Sequence, residues 1–591
     1  MPLEQFCTIS SCFFCLMTEP DSSARRATIK EYLKGVPFLD DEELILVVSG
    51  LWNVAMTRPD DEELPSLGIF QCMAELINRA VHDRTWLLTH QNIYIPYYAA
   101  HIIGSYTMNK VDFAVKAVES GVIPPLLELL RGKMSWVEQR VAIRALGHLA
   151  SYERTFGPLA VYEDEVVTLA MNLASSCLEE NRKAEEWASQ LQCWSIHLLN
   201  CFAVKERSIT LICKQEFLKE LSEMWGGLVN HSSPAGVGLI RILCYSKVGR
   251  ENISKSRYVV ENLCKLSRSS DDWQYMGIDC LLLLLNDPDT RYKVIEIATS
   301  YLIDLIELRN LGNRRNVGEA ITKALVYDYK HMNSKIKNAD VRRALEETWD
   351  FKIERRKKEQ ITCNEKLEGK RVMVKLIKQQ ANHKFMVGEI EEALLKYSEA
   401  LEICPLRHRT ERIVLYSNRA RCNLLLRDPD SAISDATRAL CLSSPPNSHA
   451  NSLWTRSQAY DMKGMAKESL MDCILFVNVC IRSKADDRVK LPYYAVRMIS
   501  KHMDSTWLFR AAQLKALSKQ PEKAKEPSEN SKSSTRGHVN AETIRTQVQN
   551  KSYISALSTI LEEPFAGKDG SGRKMMERVE ARNKSLYAPS M

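Results

Sequence analysis

Several things are scarce or missing from this chain of 591 residues. There is no run of eighteen apolar residues, so no transmembrane helix is expected. Gly (23) and Pro (20) are few, while Leu, Ala, Glu, Lys and Arg abound, and that balance favours helix almost throughout. The 17 cysteines lack the paired spacing of a disulfide framework. Cys193, Cys201, Cys244, Cys264 and Cys280 sit in apolar helical stretches, where a thiol behaves as a small buried hydrophobe. A reducing compartment is expected, cytoplasmic or also nuclear, with no disulfides. Cys12 and Cys15 form one CxxC, with no second pair or nearby His to complete a zinc site. The opening MPLEQFCTISSCFFCLMTEP lacks the positive start and small-residue cleavage site of a signal peptide. It reads as a short segment packed on the first helices, with lipidation of a cysteine as the alternative.

Catalytic signatures are missing too. GKDGSGRK from Gly567 has glycines but neither a preceding strand nor the GK[ST] ending of a nucleotide loop, and HEXXH and GxSxG are absent. Acidic pairs such as Asp40 with Asp41 and Asp60 with Asp61 fall in turns, where carboxylates cap helix N-termini. No enzyme and no cofactor are expected. The net charge of +7 is mild for this size and does not imply a nucleic-acid partner.

The most readable stretch that is present runs from Lys375 to Arg482. Its first unit, KLIKQQANHKFMVGEIEEALLKYSEALEICP, has small residues at Ala381, Gly388, Ala393 and Ala400, and large ones at Phe385, Ile390 and Tyr397. Pro405 closes the unit, because proline cannot continue a helix. Small residues let two helices approach closely, and the aromatics fill the space between them. A second unit places Ala420, Ala432, Asp435, Ala439 and Pro445 equivalently, and a third keeps register through Tyr460, Gly464, Ser469 and Cys473. This pattern is identified as three tetratricopeptide repeats, each a pair of antiparallel helices.

A stacked helical array leaves a groove lined by its first helices. The candidates there are Lys378 and Asn382, one helical turn apart, and Asn418 in the second repeat. These residues resemble the carboxylate-clamp subclass of tetratricopeptide domains, which binds the acidic C-terminal tails of heat-shock chaperones. The resemblance implies converging donors around a chain-terminal carboxylate, where charge-assisted hydrogen bonds are strongest. The family's two cationic positions in repeat three fall on Asn451 and Thr455, with Arg456 one residue off. Arg456, or Lys463, is the candidate substitute cation.

From Ser23 to Asp350 the chain reads as helix after helix. VVSGLWNVAM, AAHIIGSYTM, AIRALGHLAS, SIHLLNCFAV and GLIRILCYSK look alike, and GIDCLLLLLND is a weaker sixth. In the best unit Gly121 breaks one helix, Pro124 starts the next, and a long helix ends in Ala150. This stretch resembles armadillo repeats. The nuclear-import members of that family carry Trp and Asn on the third helix. Here those positions read Arg144 and His148, so that groove is not recognisable. His148 is expected to be a buried structural residue and Arg144 to be solvated or salt-bridged.

The organisation expected is an N-terminal segment over 1–22, armadillo-like repeats over 23–350, and a charged helical linker over 351–370. The tetratricopeptide domain follows over 371–483, with capping helices over 484–518. A largely disordered tail then covers 519–591, with a short helix over 541–562. The linker's basic run, Arg355 to Lys358, reads as a solvated face, a nuclear signal or RNA patch being the alternative. The fold class is all-α, an α-solenoid. As a whole the chain resembles plant armadillo/tetratricopeptide-like proteins, and in parts list, with the order reversed, the myosin-chaperone family. These resemblances imply a non-enzymatic adaptor: the groove takes a heat-shock chaperone tail, and the armadillo array holds a client. The alternative is a scaffold in a signalling or ubiquitin-linked complex with no chaperone role.

Overall fold

The computed structural model describes residues 13–39, 42–175, 184–224, 236–269, 273–327, 335–482 and 492–503. The expected tail, its 541–562 helix, the later part of the cap, and Cys7, Cys12, Asp40 and Asp41 lie outside the described residues. What is described is an all-α solenoid, broken among the described residues by a small antiparallel pairing of Asn310–Leu311 with Arg314–Arg315. None of the described helices is long and apolar enough to cross a membrane. Two compact units divide between Phe217 and Leu218, inside the stretch expected as one armadillo array.

In the first unit the three-helix repeat is built as the sequence suggests. Helix Val111–Glu119 ends before Gly121, which takes φ +75. Helix Ile123–Leu130 starts with proline in its first turn, and helix Trp136–Ala150 follows. Ser135 and Glu138 form a capping box on that third helix, satisfying orphan amides at its N-terminus. Third helices stack on one another: Glu42–Thr57 on Ile95–Thr107, that on Trp136–Ala150, and that on Ala184–Val204. At the start of the described chain Phe13 is buried and its ring lies 5.5 Å from that of Tyr32.

The second unit opens with further repeats whose inner helices are Gly236–Tyr245, Gln274–Asn286 and Val317–Val326. Helix Ala339–Trp349 runs through a wider turn at Asp350–Glu354 into Arg355–Ile361. Three helical hairpins follow. Hairpin one pairs Asn364–Val387 with Ile390–Ile403, hairpin two Arg409–Leu425 with Pro429–Leu442, and hairpin three Ala450–Met462 with Ala466–Arg482. Helix Tyr493–Met503 packs on the last of these. The small and aromatic positions read from the sequence are the core: Ala381, Ala393, Tyr397, Ala400 and Ala439 are buried together with Leu415 and Tyr416. Gly388 (φ +93) and Gly464 (φ +69) stop the first helices of hairpins one and three in the left-handed region. Hairpin two has no glycine there. Arg427 takes φ +60 instead, and Asp428 caps the next helix by accepting from the Ser431 amide at 3.1 Å.

Within this unit the repeats and the hairpins are joined by buried charge. Asp304 is 1% exposed and ion-pairs with Arg268 and, at 2.8 Å, with Arg438 of hairpin two, while Ser434 donates to it at 2.7 Å. Burial alone would raise the Asp304 pKa; the Arg268 and Arg438 guanidinium groups outweigh it and hold the carboxyl below the usual range. Glu307 pairs with the buried Arg412 of hairpin two. The expected linker is tied down as well: Arg355 donates to the Cys404 carbonyl at the end of helix Ile390–Ile403, and Glu359 accepts from the Leu406 amide at 2.8 Å. Arg356 and Lys357 pair with Glu319 and Glu354 at 3.2 and 3.6 Å.

Candidate peptide-binding groove

The first helices of hairpins one and two run side by side and parallel. Contacts at two levels establish this: Asn382 meets Asn418, and one turn further along both helices Phe385 meets Arg421. Asn382 Oδ1 accepts from the Tyr397 hydroxyl at 2.7 Å and from Asn418 Nδ2 at 3.4 Å. Asn418 Nδ2 also reaches the Tyr397 oxygen at 3.3 Å. The two amides are thus locked in orientation by a buried tyrosine. Burial raises the Tyr397 pKa, so its hydroxyl stays protonated as the donor to Asn382. Asn382 is exposed, and among the described residues neither of its amide hydrogens has an acceptor. Lys378, half-buried, lies one turn before Asn382 on the same face and makes no ion pair among the described residues.

Hairpin three behaves differently. Asn451 is exposed and Thr455 is 5% exposed. Arg456 is 1% exposed and is turned away from the groove. It makes a bidentate pair with Asp472 at 2.7 and 2.8 Å and donates to the Thr437 hydroxyl at 3.0 Å. Arg419 and Asp435 make the same bidentate pair in hairpin two, at 2.8 and 2.7 Å. Arg456 is therefore the repeat of Arg419, a strut between paired helices, and does not serve as a substitute cation. A one-residue offset on a helix turns a side chain by about 100°, which carries this position from the groove into the interior. Lys463, the other candidate, pairs with Asp430.

The residue overlooked in the sequence is Arg421. It is exposed, three positions after Asn418 on the same helical face, with its guanidinium 5.3 Å from the centre of the Phe385 ring. Among the described residues it has no carboxylate partner, whereas Lys384 is held by Glu389 and Glu392 at 2.5 and 2.6 Å. The sequence signal was available: an arginine one turn beyond an already singled-out asparagine.

In the first unit, Arg144 and His148 sit among rings on the inner helices. Arg144 is buried, donates to His101 Nε2 at 3.2 Å, and has its guanidinium 5.8 Å from the Trp194 ring centre. Of the two expectations for it, solvated or salt-bridged, burial rules out the first. His148 is buried and donates from Nδ1 to the Gly104 carbonyl at 2.8 Å, with its ring 5.1 Å from that of Trp194. Burial, then the Arg144 charge, push its pKa well below the ordinary value of 6.5, so it is a neutral hydrogen-bonding strut.

Fold and groove together define a repeat solenoid of the kind built for extended contacts with other chains. The comparisons agree at that level. A family model described as plant ARM repeat matches residues 4–180 and 178–214. Protein unc-45 homolog B of Danio rerio is 29% identical over 96 residues, 16% of this chain and 10% of that protein. A DnaJ homolog subfamily C member 7 homolog of Schizosaccharomyces pombe is 37% identical over 95 residues, 16% of this chain and 19% of that protein. The chain thus matches less than a fifth of the length of either relative. Among solved structures, the crystal structure of an engineered protein aligns over 83% of this chain and 97% of its own, with a TM-score of 0.36 and 15% identity, a likeness too loose to carry an argument.

Proposed function

We propose that the protein is a non-enzymatic adaptor of the cytoplasm, or of cytoplasm and nucleus. Its three hairpins act as a tetratricopeptide domain whose groove takes the acidic C-terminal tail of a heat-shock chaperone, and its armadillo-like repeats hold a client protein. The observation that carries this reading is the Asn382–Tyr397–Asn418 network with Lys378 one turn away. It presents oriented amide donors and a cation on one open face, which is the equipment a carboxylate needs. Restricted similarity to repeat proteins of the DnaJ and unc-45 kind supports it.

A second reading, a scaffold for signalling or ubiquitin-linked partners, is favoured by hairpin three, where Asn451 and Thr455 occupy the cationic positions and Arg456 is buried. Calorimetric titration of the full chain with chaperone C-terminal peptides, free and amidated, separates the two. Under the first reading the free acid binds, amidation abolishes the heat, and Lys378→Ala weakens binding about tenfold or more, the worth of a charge-assisted hydrogen bond. Absence of heat with the free acid removes the chaperone role and leaves the scaffold.

A further inference from the structure

The cations of the groove are laid out along it rather than gathered at one point. Lys378 precedes Asn382 by a turn on the first helix of hairpin one, and Arg421 follows Asn418 by nearly a turn on the parallel helix of hairpin two. Between them stands the bonded pair of amides, Asn382 and Asn418. With a rise of 1.5 Å per helical residue, the two cationic positions are offset by roughly 10 Å along the axes of the two parallel helices that carry them. Side chains at such positions have room to lean together, but a single carboxylate at the amide pair does not need both. An extended peptide lying along those axes advances about 3.3 Å per residue, so carboxylates about three residues apart match that axial offset.

Arg421 is also prepared for this role. The Phe385 ring backs its guanidinium at 5.3 Å, which restricts the fork without consuming its donors. Arginines elsewhere on these first helices are already engaged: Arg419 with Asp435, Arg412 with Glu307 and Arg456 with Asp472. Lys378 and Arg421 have no carboxylate among the described residues.

We propose that the groove recognises an extended diacidic peptide, one carboxylate against Lys378, the second against Arg421, and the backbone between them on the amides of Asn382 and Asn418. This rests on the reading of the hairpin groove as a peptide site, and it replaces the missing cations of hairpin three with one from hairpin two. The requirement is for two acidic groups at a spacing, whether supplied by side chains or by one side chain and a chain terminus.

The test uses the full chain and fluorescein-labelled synthetic peptides of Gly and Ser carrying two Glu residues one, three or six positions apart, read by anisotropy. The three-residue spacing is expected to bind tightest. Lys378→Ala and Arg421→Ala should each weaken it about tenfold or more, with Arg421→Lys intermediate. Lys396→Ala, on a second helix and paired with Glu399 at 2.8 Å, is the charge-matched control and should change nothing. Affinity independent of spacing, or an Arg421→Ala effect no larger than that of Lys396→Ala, overturns the proposal. A chaperone tail peptide titrated alongside keeps the two readings apart. If the diacidic peptide binds with the expected spacing and the tail does not, the chaperone role falls and the diacidic site stands. If the tail binds and ignores Arg421→Ala, the reverse holds. If neither binds, both fall.

Discussion

At the scale of the residue, the arginines of the hairpins divide into those that hold the fold and those that face solvent. Arg456 belongs to the first kind. Its pair with Asp472 is almost wholly buried, and removing one partner leaves an uncompensated charge in the interior. Arg456→Ala is expected to cost about 3–5 kcal/mol, measured by denaturant unfolding. The double replacement Arg456→Met with Asp472→Leu should restore most of that loss, because a desolvated ion pair contributes little beyond its hydrophobic replacement. A peptide-binding role for Arg456 would instead leave stability nearly unchanged in the single variant. Arg421, exposed and backed by Phe385, belongs to the second kind, and its truncation should leave the melting temperature in place.

At the scale of the element, the three hairpins share one plan with one irregularity. Gly388 and Gly464 close their helices in the left-handed region, whereas Arg427 does the same work with a side chain that disfavours it. Arg427→Gly is therefore expected to stabilise the protein by about 1 kcal/mol and Gly388→Ala to destabilise it by a similar amount, both read from shifts in denaturant midpoint at constant slope. These elements were legible in the sequence because their signals are local: small residues where helices touch, aromatics between them, and Gly or Pro at the ends. The same holds for the armadillo-type unit around Gly121 and Ala150. Local pattern also singled out Lys378, Asn382 and Asn418, of which the structure brings the two asparagines together at 3.4 Å. It failed at Arg456, where one residue of helical phase separates groove from core and the deciding partner, Asp472, lies on the other helix of the hairpin. It left Arg144 open between solvated and salt-bridged, because its partners His101 and Trp194 come from neighbouring repeats. The short strand pairing at 310–315 has too few residues to produce any periodicity.

At the scale of the whole molecule, the second unit is held by contacts that no local pattern announces. Asp304 and Glu307 reach residues of hairpin two more than a hundred positions away. They couple the helical repeats of the second unit to the hairpins through Arg412, which is buried, and Arg438, which is half-buried. Calorimetric melting should accordingly show these repeats and the hairpins unfolding in one transition. The double variant Asp304→Asn with Glu307→Gln should lower that transition and split it, since the changes remove the counter-charges of the buried Arg412 and the half-buried Arg438. A single transition merely shifted by a degree or two would mean the apolar contacts suffice to couple them. The sequence did suggest that the two arrays are joined by helix, but not that the join is a lattice of ion pairs.

The grip of Arg355 on the Cys404 carbonyl, and of Glu359 on the Leu406 amide, has a consequence for portability. Arrays of helical hairpins are commonly treated as cassettes that are excised, grafted and exchanged between hosts. This one is not a cassette. Cut away at the start of its first hairpin, it would leave behind Asp304, Glu307, Arg355 and Glu359, and carry off Arg412 and Arg438 stripped of their counter-charges. Gene shuffling that moved the hairpins alone would deliver a damaged module, so the heritable unit here is the hairpins together with the repeats that precede them.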